Sequence, residues 1–179
     1  MDFSILYAIQ TLRCGWLDSL ILFVTKVAGS YGQLWVVLAA VLLIFKKTRK
    51  CGVTMLLSYG LVYLLGQYGL KDLIARPRPC HLDRTVELIV SRPSSYSCPS
   101  THSAWAFAAA ASVFLSHRKW GIVVGIAALV IAFSRLYLFV HFPTDVLFGA
   151  VLGIVCGFVA AKAVNALWNR LPRKKETEK

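Results

Sequence analysis

Acidic residues are scarce in this sequence of 179 residues, which has 8 Asp and Glu against 20 Lys and Arg and a formal net charge of +12. Few carboxylates are therefore available as ion-pair partners for the basic side chains. The chain also lacks a linker that would divide it, so we expect a single domain over residues 1–179. A cleavable signal peptide is not indicated, because Asp2 precedes the early apolar stretch and no small-residue cleavage site follows it.

Patterns of metal ligands are missing as well. The sequence has no C-x-x-C motif and no cluster of His and Cys, so we expect neither zinc nor any other cofactor. Of the five cysteines, Cys14, Cys51 and Cys156 are interpreted as packing residues. Cys80 and Cys98 bracket a polar loop, and a disulfide between them stays open, because a sequence does not show the geometry that a disulfide requires.

Apolar residues dominate instead, at 58% of the chain with a mean hydropathy of +0.65. A soluble domain is nearer half apolar, and a membrane helix needs about 20 apolar residues. We predict an all-α fold, a polytopic membrane helix bundle with five to six transmembrane helices and a short N-terminal interfacial helix. The predicted helices are 3–12 at the interface, then 16–28, 33–45, 51–70, 101–116, 120–138 and 143–168, and whether 16–28 crosses fully is left open.

Basic residues cluster between these apolar segments. The clusters lie at residues 46–50, at 117–119 and in the tail, 170–179. Nucleic-acid binding is one explanation of such clusters, but their apolar flanks favour the cytoplasmic side of a membrane, with the bilayer and not nucleic acid as partner. The opposite, outer face then receives Lys71, the 72–100 loop and the 135–145 turn.

Residues 71–100 are the only long polar loop, and they hold four of the six prolines. Long loops of this kind are usually functional or disordered, and we interpret this one as an active-site loop. Its basic residues Arg76, His81, Arg84 and Arg92 could bind a second phosphate or a sugar, although a solvated loop is favoured. In the last helix, Gly149, Gly153 and Gly157 recur every four residues, which indicates close packing within the bundle rather than a dimer interface.

Three cations stand at the ends of apolar helices, namely Lys71, Arg78 and Arg135. Such positions are costly unless the charge is paired, functional or able to extend to the lipid headgroups. Asp145 is the only strong nearby anion candidate, so a bound phosphate would supply the missing negative charge, and arginine side chains suit phosphate oxygens well.

Ser100, Thr101 and His102 open a predicted helix, where free backbone N–H groups favour an anion. An ordinary N-cap is the alternative for Ser100, and His102 could donate a proton to a leaving oxygen. His141 and Asp145 are four residues apart, so that the carboxylate can hold one imidazole nitrogen and leave the other free to attack. A structural His–Asp pair at a helix start is the alternative.

Together these segments resemble the three-part signature of the type 2 phosphatidic acid phosphatase (PAP2) family. That signature is Lys, six residues, Arg-Pro; then Pro-Ser-Gly-His; then Ser-Arg, five residues, His, three residues, Asp. The matching residues are Lys71, Arg78-Pro79, Pro99-Ser100, His102, Ser134-Arg135, His141 and Asp145. Thr101 stands where the family usually has glycine, which would allow a closer backbone approach to the ligand.

The resemblance implies a role for each matched residue. His141 attacks phosphorus and forms a phospho-histidine, Asp145 orients it, and His102 protonates the leaving group and then activates water. The phosphate-binding residues implied are Lys71, Arg78, Ser100, Thr101 and Arg135. No metal ion takes part, because the cations and the helix terminus would stabilise the transferred phosphoryl group.

The implied activity is that of a lipid phosphatase or diphosphatase in the inner (plasma) membrane, acting on a membrane lipid phosphate at the outer face, with the C-terminus in the cytoplasm. Undecaprenyl diphosphate is the favoured substrate, ahead of lipid A phosphate, phosphatidylglycerol phosphate and phosphatidate. Alternatives are a lipid phosphotransferase, a vanadium haloperoxidase, which the short hydrophobic bundle disfavours, and a non-enzymatic lipid transporter or scaffold, for which no inverted repeat is found. The oligomeric state is left open.

Overall fold

The computed structural model describes residues 2–170, which form helices and no strands. Of the predicted basic tail, only Arg170 falls within this range. The helices are α1 (Asp2–Gln10), α2 (Gly15–Ala28), α3 (Gln33–Ile44), α4 (Arg49–Val62), α5 (Lys71–Ile74), α6 (Pro79–Leu82), α7 (Thr101–Ser116), α8 (Arg118–Tyr137) and α9 (Pro143–Trp168). Between α4 and α5 the chain continues as a π-helical segment, Tyr63–Leu70.

Three helical stretches among the described residues are long and apolar enough to cross a membrane, namely Arg49–Leu82, α8 and α9. The pair α2–α3, bent by 52°, forms a fourth candidate. Helix α7 has 16 residues, about 24 Å, which is short for a hydrocarbon core of about 30 Å. The predicted all-α, polytopic bundle is confirmed, and the number of five to six crossings stays a prediction.

Helix α7 occupies the middle of the bundle, where it packs against α4, α8 and α9. Small residues make this possible, since its buried face consists largely of Ala and Ser. On the facing side of α9, side chains added at Gly149 and Gly153 would collide with the backbone of Ser100 and Ala104. The glycine stripe therefore serves packing within the bundle, as predicted.

Helix α2 lies across one end of the bundle. Tyr137, in the last turn of α8, donates a hydrogen bond to Asp18 near the start of α2, at 2.7 Å. Arg135, in the same turn, donates to Thr25 near the end of α2, also at 2.7 Å. These two contacts hold α2 against the last turn of α8.

The bundle has two chemically different ends. Helices α3, α7 and α9 end, and α4 and α8 begin, at the end that holds the basic residues 46–50, 117–119 and Arg170. The other end receives α1, α2, the glycine-flanked turn at residues 29–32, the polar loop and the 138–142 turn. An apolar cluster supports this end, with Leu6, Ile21, Tyr137, Phe139 and Phe142 buried in it.

Candidate active site

A cavity of about 390 Å³ opens at the end of the bundle opposite the basic loops. Segments distant in sequence supply its walls: α2 and the turn after it, the π-helical segment, the polar loop, the start of α7 and the turn between α8 and α9. Six of the eight predicted site residues line it: Lys71, Arg78, Thr101, His102, Arg135 and His141.

Lys71 follows a segment in which the helix is underwound. Residues Tyr63–Leu70 are π-helical, a conformation that is rare and often found at functional sites. The buried Nζ of Lys71 donates a hydrogen bond to Oε1 of Gln67 at 3.0 Å, and Gln67 lines the cavity itself. The ammonium group keeps two further N–H donors for a ligand.

Arg78 and Arg135 are also buried, and neutral groups hold both of them. Arg78 donates to the carbonyl oxygens of Ser95 at 2.7 Å and Val140 at 2.9 Å. Arg135 donates to the hydroxyls of Ser134 and Thr25. Among the described residues, no carboxylate lies within 4.0 Å of Lys71, Arg78 or Arg135. The cavity therefore gathers three buried cations without an anionic partner, an arrangement suited to a ligand of high negative charge.

His141 presents one ring nitrogen to the cations and the other to Asp145. Its Nε2 lies 3.1 Å from Nη1 of Arg78, and because arginine only donates, this nitrogen is the unprotonated one. Nδ1 then carries the proton and faces Oδ2 of Asp145 at 3.8 Å, longer than a hydrogen bond. The free electron pair of His141 thus lies at Nε2, beside the cations.

Burial lowers the pKa of His141 to about 3, against the opposing effect of the Asp145 carboxylate. A charged imidazole is disfavoured at a buried position close to Arg78 and Lys71. His141 is therefore neutral at physiological pH, as a nitrogen nucleophile must be.

His102 is held by the turn between α2 and α3. Its Nε2 lies 3.0 Å from the carbonyl oxygen of Gly29, which can only accept, so Nε2 carries a proton and donates it. Nδ1 is then the ring atom left for proton transfer. Gly29 has a φ of 73°, in the left-handed region that favours glycine, and this turn brings its carbonyl to the imidazole.

Ser100 and Asp145 do not line the cavity. The hydroxyl of Ser100 is fully buried and lies 3.0 Å from that of Ser103, so its placement differs from the predicted contact with phosphate. Asp145 is buried behind His141, as expected of an orienting carboxylate. Thr101 lines the cavity with the side chain that replaces the family's usual glycine, and its methyl group packs beside Gly66.

Arg76 has neither of the roles considered for it. Its guanidinium binds Asp145 and Asp2 in ion pairs of 2.7 and 2.9 Å, so it is neither a second phosphate ligand nor part of a solvated loop. His81, Arg84 and Arg92 lie away from the cavity walls, and Arg92 donates to the carbonyls of Cys80 and Arg84. The positions of these three residues agree with the favoured interpretation, that they belong to a solvated loop and do not bind a second phosphate or a sugar.

Cys80 and Cys98 are free thiols, both buried, so the disulfide left open by the sequence is not formed. Cys51 and Cys156 are buried packing residues as interpreted, whereas Cys14 is exposed. Within residues 2–170, no group of three or more His, Cys, Asp and Glu side chains is arranged to hold a metal ion.

Several residues of the site were not predicted from the sequence. Gln67 had a usable signal, since it precedes Lys71 by four residues on a helix and so shares its face. Thr25 and Gly29 had none, because their contacts with Arg135 and His102 depend on how α2 lies across the bundle. Ser95 and Ser97 belong to the polar loop, where no periodicity indicates which side chains point inward.

Known proteins share both the sequence and this architecture. An undecaprenyl-diphosphatase from Sulfolobus acidocaldarius is 34% identical over 147 residues, which are 82% of this chain and 70% of that protein. The crystal structure of a transmembrane PAP2 type phosphatidylglycerolphosphate phosphatase from Bacillus subtilis matches with a TM-score of 0.73 and 31% identity, over 97% of this chain and 87% of the other. The crystal structure of Aquifex aeolicus LpxE matches with a TM-score of 0.71 and 29% identity, over 90% of this chain and 94% of the other.

The sequence profile of the PAP2 superfamily matches residues 50–169, which include every residue of the three-part signature. The profile covers more than half of the chain. The chain belongs to the PAP2 superfamily.

Proposed function

We propose that this membrane-embedded hydrolase of lipid phosphates removes the terminal phosphate of an isoprenoid lipid diphosphate, with undecaprenyl diphosphate favoured, through a phospho-histidine on His141. The observation that supports it most is the grouping of Lys71, Arg78 and Arg135 beside His102 and His141, since these cations are buried and have no carboxylate partner within residues 2–170. Phosphoryl transfer depends on positioning and charge stabilisation, and this cavity offers both.

In the first step, Nε2 of His141 attacks the terminal phosphorus while the three cations neutralise its non-bridging oxygens. His102 takes up a proton when the anionic substrate binds, because the negative charge favours the protonated imidazole. The bond from phosphorus to the bridging oxygen then breaks, and Nδ1–H of His102 gives this proton to the leaving lipid phosphate. Asp145 stabilises the positive charge that develops on the imidazole of His141.

In the second step, a water molecule attacks the phosphorus of phospho-His141. Nδ1 of His102, now neutral, takes the proton from the water, and the bond from phosphorus to Nε2 breaks. Inorganic phosphate leaves, and both histidines return to their first protonation states. Since His102 gives a proton in one step and takes one in the next, the two steps together leave the enzyme unchanged.

The substrate assignment has two supports. A relative that this chain matches over 82% of its length is an undecaprenyl-diphosphatase. A lipid diphosphate also has two phosphate groups joined directly, so its negative charge is concentrated in one place, in keeping with three cations that lack carboxylate partners among the described residues. Phosphatidylglycerol phosphate is the second candidate, favoured by the Bacillus subtilis phosphatase structure, which is similar over nearly the whole chain.

We further propose that residues 1–179 form one domain with residues 71–100 as its active-site loop, and that the cavity opens at the outer face of the plasma membrane. The described basic loops lie at the opposite end of the bundle, and short basic loops are retained in the cytoplasm. The C-terminus, which follows α9 at that end, is then cytoplasmic.

Phosphate release by the purified protein tests the activity and the substrate together. The panel comprises undecaprenyl diphosphate, phosphatidylglycerol phosphate, phosphatidate and lipid A phosphate, each assayed with EDTA. We expect the highest kcat/KM for undecaprenyl diphosphate and undiminished rates in EDTA. A higher kcat/KM for phosphatidylglycerol phosphate would transfer the assignment to that lipid, and loss of activity in EDTA with recovery in magnesium would contradict the metal-free mechanism.

The variant His141→Ala tests the nucleophile. We expect it to purify as a folded protein and to lose turnover, because alanine has no nitrogen that could attack the phosphorus. Labelled substrate should leave an acid-labile phosphoryl group on the wild type and none on His141→Ala. Normal turnover by this variant would remove His141 from the mechanism, and label found on a second lipid would indicate a phosphotransferase.

A further inference from the structure

Arg76 connects the N-terminal helix to the carboxylate behind the nucleophile. Its Nη1 donates to Oδ1 of Asp145 at 2.7 Å, and its Nη2 donates to Oδ2 of Asp2 at 2.9 Å. Thr144 adds a second link, because its hydroxyl accepts from Arg76 at 2.7 Å and donates to Asp2 at 2.8 Å. One guanidinium thus joins α1 to the start of α9.

The hydrogen bonds of Asp145 determine which of its oxygens faces the histidine. Oδ2 accepts from the backbone N–H of Phe142 at 2.8 Å and from the hydroxyl of Ser97, and it is also the oxygen nearest His141. Oδ1 points away and is bound by Arg76. With both oxygens occupied, the carboxylate cannot turn about its Cβ–Cγ bond without breaking charged hydrogen bonds.

Arg76 is itself held in place on two sides. Its guanidinium lies over the ring of Phe142 at 4.1 Å from the centroid, and its Nη2 is bound by the carboxylate of Asp2. Helix α1 is anchored beneath it, because Phe3 meets Phe142 edge-to-face at 5.2 Å and Leu6 is fully buried. These contacts make the position of Arg76 dependent on α1.

We infer that Arg76 is a positioning residue for phosphoryl transfer, which acts through Asp145 on the orientation of His141, and that Asp2 on α1 completes this relay. The inference rests on the proposed function, since it needs His141 as the nucleophile. The inference gives helix α1 a part in catalysis, although α1 lies outside the family profile, which begins at residue 50. Arg76 touches neither the cavity nor the reacting atoms, so its removal should slow the chemical step and leave substrate binding intact.

Kinetics of four variants on undecaprenyl diphosphate test this inference. Arg76→Gln should lower kcat about tenfold to hundredfold, the range found when hydrogen-bonded partners of metal-binding histidines are removed, with KM within about twofold of wild type. Arg76→Lys should recover part of the loss, because an ammonium keeps the positive charge but lacks the two separate nitrogens with which Arg76 binds Asp145 and Asp2. Asp2→Asn should lower kcat by a few-fold in the same sense.

Arg84→Gln is the matched control, because Arg84 is an exposed arginine of the same loop that lies away from the cavity. Its kcat and KM should equal those of wild type. An Arg76→Gln enzyme with wild-type kcat, or one in which KM changes as much as kcat, would overturn the inference. If Arg76→Gln does not fold, Arg76→Lys and Asp2→Asn decide, and wild-type kcat in both would overturn it.

His141→Ala, assayed alongside, separates this inference from the proposed function. If His141→Ala keeps its turnover, the proposed function fails and the relay has no nucleophile to position. If His141→Ala is inactive and the Arg76 variants are unaffected, the proposed function stands and only the relay is wrong.

Discussion

The buried cations of the cavity are a cost to the folded protein as long as no anion is bound. Lys71, Arg78 and Arg135 are each about 4% exposed and have no carboxylate partner among the described residues. Removing a charge from water is unfavourable, and repulsion between like charges in one cavity destabilises the folded protein further. Residues kept at such a cost generally serve function, so stability and activity should respond in opposite directions to their substitution.

We predict that Lys71→Met abolishes phosphate release and leaves thermal stability equal to or above that of wild type without ligand. Orthovanadate, a phosphate analogue, should stabilise the wild type, since a ligand at 100 times its Kd adds about 2.7 kcal/mol, or about 5–10 °C in Tm for a chain of this size. The variant should show little of this shift. The measurement is thermal unfolding in detergent with and without vanadate.

Lys162→Met is the control for this substitution, because Lys162 is an exposed lysine of α9 remote from the cavity. It should keep both the activity and the vanadate shift. A Lys71→Met protein that unfolds several degrees earlier than wild type would show instead that the lysine contributes to folding.

At the residue scale, the sequence predicted the cations and both histidines because each has a chemical reason to be rare at the end of an apolar helix. It could not assign Arg76, whose partners Asp2 and Asp145 lie 74 and 69 positions away and are met only in the fold. The sequence could not place the hydroxyl of Ser100 for a related reason. The motif predicts that Ser100 is near the site, but the contact of its hydroxyl with that of Ser103 is seen only in the fold.

Among the elements, the α7–α9 pair decides whether the cavity is assembled at all, because α7 begins with Thr101 and His102 while α9 begins beside His141. The two helices approach closely where Gly149, Gly153 and Gly157 face small residues of α7. Without a hydrophobic driving force between helices in lipid, such close packing is a main source of association.

We predict that Gly153→Ala lowers Tm and impairs activity, because its methyl group would collide with the backbone of Ala104 and Ala108. Overpacking of this kind costs about 1–3 kcal/mol. The matched control is Gly125→Ala in α8, where an added Cβ meets no atom within 4 Å. There the gain in helix propensity should stabilise the protein by up to about 1 kcal/mol. Equal Tm values for the two variants would show that the stripe does not bear on packing.

Each of the seven predicted helices has an observed counterpart with nearly the same bounds, since long apolar runs give a strong signal. The orientation of α2 could not be predicted, because apolar composition is the same for a helix that crosses the bilayer and for one that lies across the end of a bundle. The polar loop hid two single-turn helices, α5 and α6, which are too short for any periodicity to indicate.

The two ends of the whole molecule differ in chemistry, and this difference is not visible in single residues or helices. The described basic loops lie at one end and the catalytic cavity at the other, and this separation led us to propose a cavity on the outer face. The sequence predicted the same separation from the alternation of apolar segments, without reference to chemistry. The exposed Cys14 offers a direct test, because it lies at the cavity end, next to Arg13, which donates to the carbonyl of Glu87 in the polar loop.

We predict that a membrane-impermeant maleimide labels Cys14 in intact cells and that Cys14→Ser abolishes the labelling, since the other four cysteines are buried. In the Cys14→Ser background, the variant Lys47→Cys places a thiol at an exposed position of the opposite end. That thiol should react only after the membrane is permeabilised. If Lys47→Cys reacts in intact cells and Cys14 requires permeabilisation, the cavity faces the cytoplasm. The substrate would then be a lipid phosphate of the inner leaflet, although the phosphoryl transfer at His141 could proceed as proposed.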